Sequence, residues 1–119
     1  MKKTQLTAIS ETPVSHNPDI RKKVMLGNRT IPGLTTFAQA TLTSGQQTRP
    51  HKHADMWEVY LVEAGCGIMR VAGDEHRLGA GTCIAVEPGE SHSVENTAEV
   101  DLVLTYFGIA PENQPVKHK

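Results

Sequence analysis

The feature that most limits what this chain can become is its punctuation. Short apolar runs recur along it: Val24–Leu26, Leu34–Leu42, Trp57–Val62, Ile68–Val71, Cys83–Val86 and Val100–Ile109. Glycines sit between or beside them, at Gly27, Gly33, Gly45, Gly65, Gly67, Gly73, Gly79, Gly81 and Gly89. Runs of this kind, rich in β-branched residues, leucine and aromatics and bounded by Gly, Pro, Asn or Asp, read as strands. Beyond residue 30 no segment of helical length carries a 3.6-residue period. Ala72-Gly73-Asp74-Glu75 reads as a hairpin turn. The expectation is an all-β sandwich or barrel. Trp57–Val62 and Val100–Phe107 are apolar on both faces. One face lines the barrel, and the other needs a second sheet or a second subunit to cover it.

Length and charge narrow the remaining possibilities. The chain has 119 residues, which suggests one domain with core enough to fold without disulfide or metal help. Residues 1–22 are polar, with two prolines, and read as an N-terminal arm or irregular segment. Residues 34–109 carry the core barrel, and 110–119 read as a frayed tail. Twelve Lys and Arg stand against 13 Asp and Glu, so nothing points to nucleic acid or to an anionic membrane. No apolar run is long enough to span a bilayer. The two lysines near the start lack the apolar stretch of a secretory signal, so the expected location is the cytoplasm. Cys66 and Cys83 lack CxxC spacing and read as reduced thiols.

Against this background the stretch from Gly45 to Glu58, GQQTRPHKHADMWE, stands out. His51 and His53 share a strand face. Glu58 joins them if the chain turns at Ala54-Asp55 and returns as the neighbouring strand. His92 follows another strand and a Pro88-Gly89 turn. Taken singly, a His-x-His pair also fits a solvated edge, and Glu58 and His92 fit a surface carboxylate and a turn residue.

Gly45, His51, His53, Glu58 and Gly65 have spacings that match, position by position, the first motif of the cupin superfamily. Gly81, Gly89, His92 and Asn96 resemble the second motif. Glu87 holds the slot usually taken by proline, and Pro88 follows it. The fifteen residues between the motifs are typical of compact bacterial cupins. The resemblance implies a double-stranded β-helix, a jelly-roll-like β-barrel. It also implies one divalent transition-metal ion held by His51, His53, Glu58 and His92. Three imidazoles and a carboxylate suit Fe or Mn, with Zn, Ni or Co possible, and no cysteine is in the set, unlike most closed structural zinc sites. Four protein ligands leave positions open for chemistry.

The expected function is a metal-dependent oxidoreductase, dioxygenase-like, acting on a small polar or carboxylate-bearing substrate. A non-catalytic small-ligand binding or sensing module is the alternative, as is a metal-dependent isomerase or lyase. If its strand is straight, Arg49 shares the parity of His51 and would hold a substrate carboxylate. Tyr60 shares the parity of Glu58 and faces inward as core or as a hydrogen-bond donor near the metal. Met56, Met69 and Val71 are expected in lining or core, Glu87 in a solvated turn and Asn96 as a turn former. His16, His76 and His118 lie outside both motifs and receive no role. The two-sided strands and the arm suggest a homodimer in which arms add strands to the partner's sheet.

Overall fold

The computed structural model describes residues 1–110. Among these residues nine strands form two sheets: β1 (Thr12–Val14), β2 (Asn17–Leu26), β3 (Leu34–Leu42), β4 (Trp57–Ala64), β5 (Cys66–Val71), β6 (Asp74–Gly79), β7 (Cys83–Val86), β8 (His92–Glu95) and β9 (Leu102–Ile109). The larger sheet runs β1-β2-β3-β9-β4-β7 and the smaller β6-β5-β8. Every pairing between these strands is antiparallel. Among the described residues the sole helical element is one 3-10 turn, Leu6–Ala8. Among the described residues no helix is long and apolar enough to cross a membrane. This is the all-β, jelly-roll-like barrel expected from the sequence.

Alternation explains which face each strand buries. On β4, Glu58, Tyr60 and Val62 are buried while Trp57 and Leu61 are exposed. On β3, Ala38, Ala40 and Leu42 point the same way, and on β9 Leu102 and Leu104 join them. Ala40, Leu42, Tyr60, Val62, Leu102 and Leu104 meet Met69 and Leu78 of the smaller sheet in a single apolar cluster. The outer face of the large sheet is apolar too. Trp57 lies opposite Ile109, and Val59, Phe107 and Phe37 form a row across β4, β9 and β3. The two phenylalanine rings meet edge to face with centroids 6.2 Å apart.

Part of the N-terminal segment, expected as an arm or an irregular segment, forms regular strands. Residues 12–26 contain most of a β-hairpin that extends the large sheet through β2 and β3. Ile20 is fully buried in the core. The reason is a period-2 set, Ile20, Lys22 and Val24, hidden in the sequence by the charges at Asp19, Arg21 and Lys23; a shift in register after Val24 then sets Leu26 opposite Phe37. The hairpin satisfies the β3 edge within its own chain, so β3 offers no edge for a partner's arm. β6 was also unmarked, because five of its six residues are exposed and mostly polar. The turn between β5 and β6 is as expected: Ala72 and Gly73 both have positive φ, at 50° and 89°, the signature of a two-residue type I′ hairpin. The tail expectation falls largely outside the described residues, as does His118. Cys66 and Cys83 are exposed and unbridged.

Candidate metal centre

The stretch from Gly45 to His53 joins the two sheets without being a regular strand. It makes two isolated bridges, Gln47 to Glu95 and His51 to His92. His51 and His92 exchange both backbone hydrogen bonds, at 3.0 and 2.8 Å, which sets their Cβ atoms side by side. Pro50 has no N–H and interrupts the ladder between the bridges. The chain then bends at Ala54-Asp55 and enters β4, placing Glu58 on the inner face.

A second turn brings in His92. Glu90 N–H donates to the Glu87 carbonyl at 3.2 Å, with Pro88 and Gly89 between them and Gly89 at φ 86°. Proline at the second position and a positive-φ glycine at the third make a type II turn. The shift of proline from 87 to 88 therefore preserves the turn. Gly89 N–H donates to the His53 carbonyl at 2.7 Å, which ties the second motif directly to the first.

The structure brings His51, His53, Glu58 and His92 together, with one potential ligand atom from each inside a 4.8 Å span. Glu58 Oε1 lies 2.9 Å from His92 Nε2 and 3.3 Å from His53 Nε2. The outer nitrogens of two rings are spoken for. His51 Nδ1 is 3.0 Å from the Arg49 carbonyl, and His92 Nδ1 is 3.0 Å from the Glu90 carbonyl. A carbonyl two residues upstream thus takes each Nδ1–H and leaves Nε2 facing the cluster, as a metal-binding imidazole requires; on His92 that nitrogen carries a proton to Glu58 and would give it up to a metal. The donor set therefore fits a divalent transition-metal ion.

The electrostatics of the cluster are tightly coupled. Burial works against the Glu58 anion, but the bonds from His53 and His92 outweigh it and hold the carboxyl far below its usual range. Burial also opposes charge on His92, yet the Glu58 bond and the Glu90 carbonyl raise its pKa. His51 is pushed down to about 4, first by burial, with His92 and His16 adding to the effect against the pull of the Arg49 carbonyl. Burial places the Tyr60 hydroxyl well above its ordinary pKa, so it is a permanent donor, and it donates to Glu58 Oε1 at 2.9 Å. The four candidate ligands are thus a neutral His51, an anionic Glu58 aligned by Tyr60, and His53 and His92 beside it.

The cluster opens onto a cavity of about 210 Å³ lined by His51, His53, Glu58 and Tyr60 together with residues of the β1–β2 hairpin. Gly108 sits opposite Glu58 on β9, and a Cβ there would strike the Thr35 side chain, so glycine lets Thr35 pack closely against β9 beside the cluster.

Arg49 is the residue the sequence misplaced. It is exposed and lines a separate shallow groove with Arg70 and Ser93. The parity argument assumed a straight strand, and the break at Pro50 turns Arg49 out while His51 turns in. The residue the sequence missed is His16. Its ring stacks on His51 with centroids 3.6 Å apart and planes 10° from parallel, and it lines the cavity. Its position is fixed by the Arg49 N–H, which donates to the His16 carbonyl at 3.0 Å. Asn96 is fully buried and does not reach the cluster. Its amide donates to the Leu42 and Val100 carbonyls, both at 2.8 Å, and its oxygen accepts from Ala98 N–H at 2.9 Å.

Comparison with known proteins agrees with this geometry. The family model for the cupin domain matches residues 38–108. The chain belongs to the cupin family. A Thermotoga maritima protein named an oxalate-binding protein is 36% identical over 66 residues, 56% of this cupin and 54% of that relative. The match thus spans about half the relative's length. Among solved structures, a Thermotoga maritima protein described as a predicted oxalate decarboxylase superposes with a TM-score of 0.85. It shares 24% identity and covers 92% of this chain and 99% of its own. An RmlC-like cupin from Shewanella frigidimarina gives 0.73 at 15% identity, covering 93% and 91%. At those identities the two structures bear on fold alone.

Proposed function

We propose that this cupin holds one divalent transition-metal ion, Fe or Mn, through His51, His53, Glu58 and His92. It uses that ion on a small carboxylate-bearing molecule in the adjoining cavity, in an oxidation of the dioxygenase type. The observation that carries the reading is the convergence of four ligand atoms, two of them on rings whose Nδ1 is already bound to a backbone carbonyl, at the wall of a cavity. When bound, the ion supplies a Lewis-acidic centre with coordination positions left for substrate and dioxygen. The chain's part is to orient and to enclose. Tyr60 fixes the Glu58 carboxylate, the Arg49 and Glu90 carbonyls fix two imidazoles, and Met56 and Leu104 help form an apolar lining that limits water.

A second reading is favoured by the relative named an oxalate-binding protein: capture of a small dicarboxylate without turnover, or its redox-neutral cleavage. Oxalate is the first ligand to try under both readings. We further propose a homodimer that covers the outer apolar face around Trp57, Leu61 and Phe107.

The deciding experiment is metal analysis by mass spectrometry of tag-free protein purified without a nickel column, alongside His51→Ala and His92→Ala. About one equivalent of iron or manganese, lost in both variants and accompanied by carboxylate-dependent oxygen uptake, is the expected result. Metal and bound oxalate without oxygen uptake would favour the second reading. A parent that takes up no metal after anaerobic reconstitution refutes both.

A further inference from the structure

Lys22 lies outside the segment matched by the cupin model, and neither motif refers to it. Yet the ladder places it inside the barrel. Lys22 pairs with Ala40 on β3, Ala40 with Leu104 on β9, and Leu104 with Val62 on β4. Residues directly opposite in an antiparallel ladder share a face. Lys22 therefore projects from the face on which Ala40, Leu104 and Val62 are buried. It is itself partly buried and lines the same cavity as His51, His53 and Glu58. Ala40, the smallest member of the row, leaves space beside the lysine stem.

The neighbours of Lys22 in sequence have partners. Arg21 donates to the Glu11 carbonyl and Lys23 to the Leu6 carbonyl, both at 3.3 Å. For Lys22 no ion pair or hydrogen bond from its ammonium is made among the described residues. Of the cavity-lining side chains, only Lys22 and Glu58 carry a full charge at neutral pH apart from the histidines, and Glu58 is engaged by His53, His92 and Tyr60. A partly buried lysine that lines a cavity, with no carboxylate to answer it, is free to take an anionic partner there.

We infer that Lys22 is the specificity-determining cation of this cavity. It binds the distal carboxylate of a small dicarboxylate whose other end is held at the four-ligand cluster. This deepens the functional reading above and rests on it for the proximal end. It also gives to Lys22 the task that the sequence had suggested for Arg49, which the structure turns away from the cavity.

The test is calorimetric titration of the metal-loaded protein with acetate and with the dicarboxylates from oxalate to glutarate, in the parent, Lys22→Met and Lys22→Arg. Methionine keeps the apolar stem and the strand while removing the charge. In the parent, at least one dicarboxylate is expected to bind roughly ten- to a hundredfold tighter than acetate. That preference should collapse to within about threefold in K22M and survive in K22R. Metal content and thermal midpoint, measured on the same samples, should be unchanged in both variants. A preference that persists in K22M, or a parent that binds acetate as well as any dicarboxylate, overturns the assignment of Lys22 while leaving the metal site intact. A parent that takes up no metal overturns the reading on which the assignment rests, and that outcome is visible before any anion is added.

Discussion

Replacing Asn96 by alanine tests whether the second motif's asparagine is a structural tie rather than a ligand. The side chain is fully buried and makes three hydrogen bonds, two from its amide to the Leu42 and Val100 carbonyls and one to its oxygen from Ala98 N–H. Removing it strips one partner from a buried backbone carbonyl and from two partly buried backbone groups. At about 1 kcal/mol net for each bond, and more where the group is left without any partner, the loss is about 3 kcal/mol. That is a large share of the 5–15 kcal/mol typical of a domain. For a chain of this length it corresponds to a fall in Tm of roughly 10–15 °C. Urea unfolding followed by far-UV circular dichroism should show the midpoint falling by roughly 1.5 M with an unchanged slope. Asn96→Asp provides the sharper comparison. It keeps the acceptor for Ala98 but sets a buried carboxylate against two carbonyl oxygens, so it should be less stable than the alanine variant at pH 7. Metal affinity should fall only slightly in either, because Asn96 reaches the site through backbone bonds to Gly45 and Gln46. A loss below about 1 kcal/mol in N96A, or an aspartate variant as stable as the parent, would refute this account.

Three other outcomes follow from the same geometry. Tyr60→Phe removes the hydroxyl that aligns Glu58 and should weaken metal binding roughly tenfold while changing stability by under about 1 kcal/mol, which competition with a chromophoric chelator checks. His51 is held down at about 4, so the unfolded chain gains a proton below pH 6.5 that the folded one refuses. Stability should therefore decline as pH falls from 6.5 toward 4, by about 1–2 kcal/mol once partial exposure is allowed for. The Glu58–His92 attraction persists across that window, because the lowered carboxyl gives way only at still lower pH and the raised imidazole only as pH rises through its folded value. Chelator-treated protein with and without His51→Gln separates these contributions in urea titrations at pH 7, 5.5 and 4.5. Static light scattering at micromolar concentration should give twice the chain mass, and Leu61→Glu on the outer face should halve it; a monomeric parent would exclude the dimer.

What the sequence made legible was local. The five positions of the first motif fall between Gly45 and Gly65, the turn before His92 is set by adjacent residues, and their spacing identifies which side chains can converge. The β5–β6 turn was readable for the same reason. What escaped was set by breaks in regularity or by distant contact. Parity carried Tyr60 correctly along the unbroken β4, but it failed for Arg49 because Pro50 resets the phase. β2 was masked by charged residues alternating with its buried set, and with it went Lys22. The available signal was the period-2 series from Ile20 to Val24 following Asn17-Pro18. His16 had no such signal, because its stacking on His51 depends on a hairpin folding back across the 34 residues between them.

The candidate ligands are divided between the sheets. Glu58 belongs to the large sheet, His92 to the small one, and His51 and His53 to the segment that joins them. An ion held by all four is a rivet through both layers. It cannot leave unless a layer lifts or its ligands let go one after another, so the exchange rate of the metal becomes a clock for the breathing of the barrel. Any molecule too large for the cavity at rest must enter on that same clock.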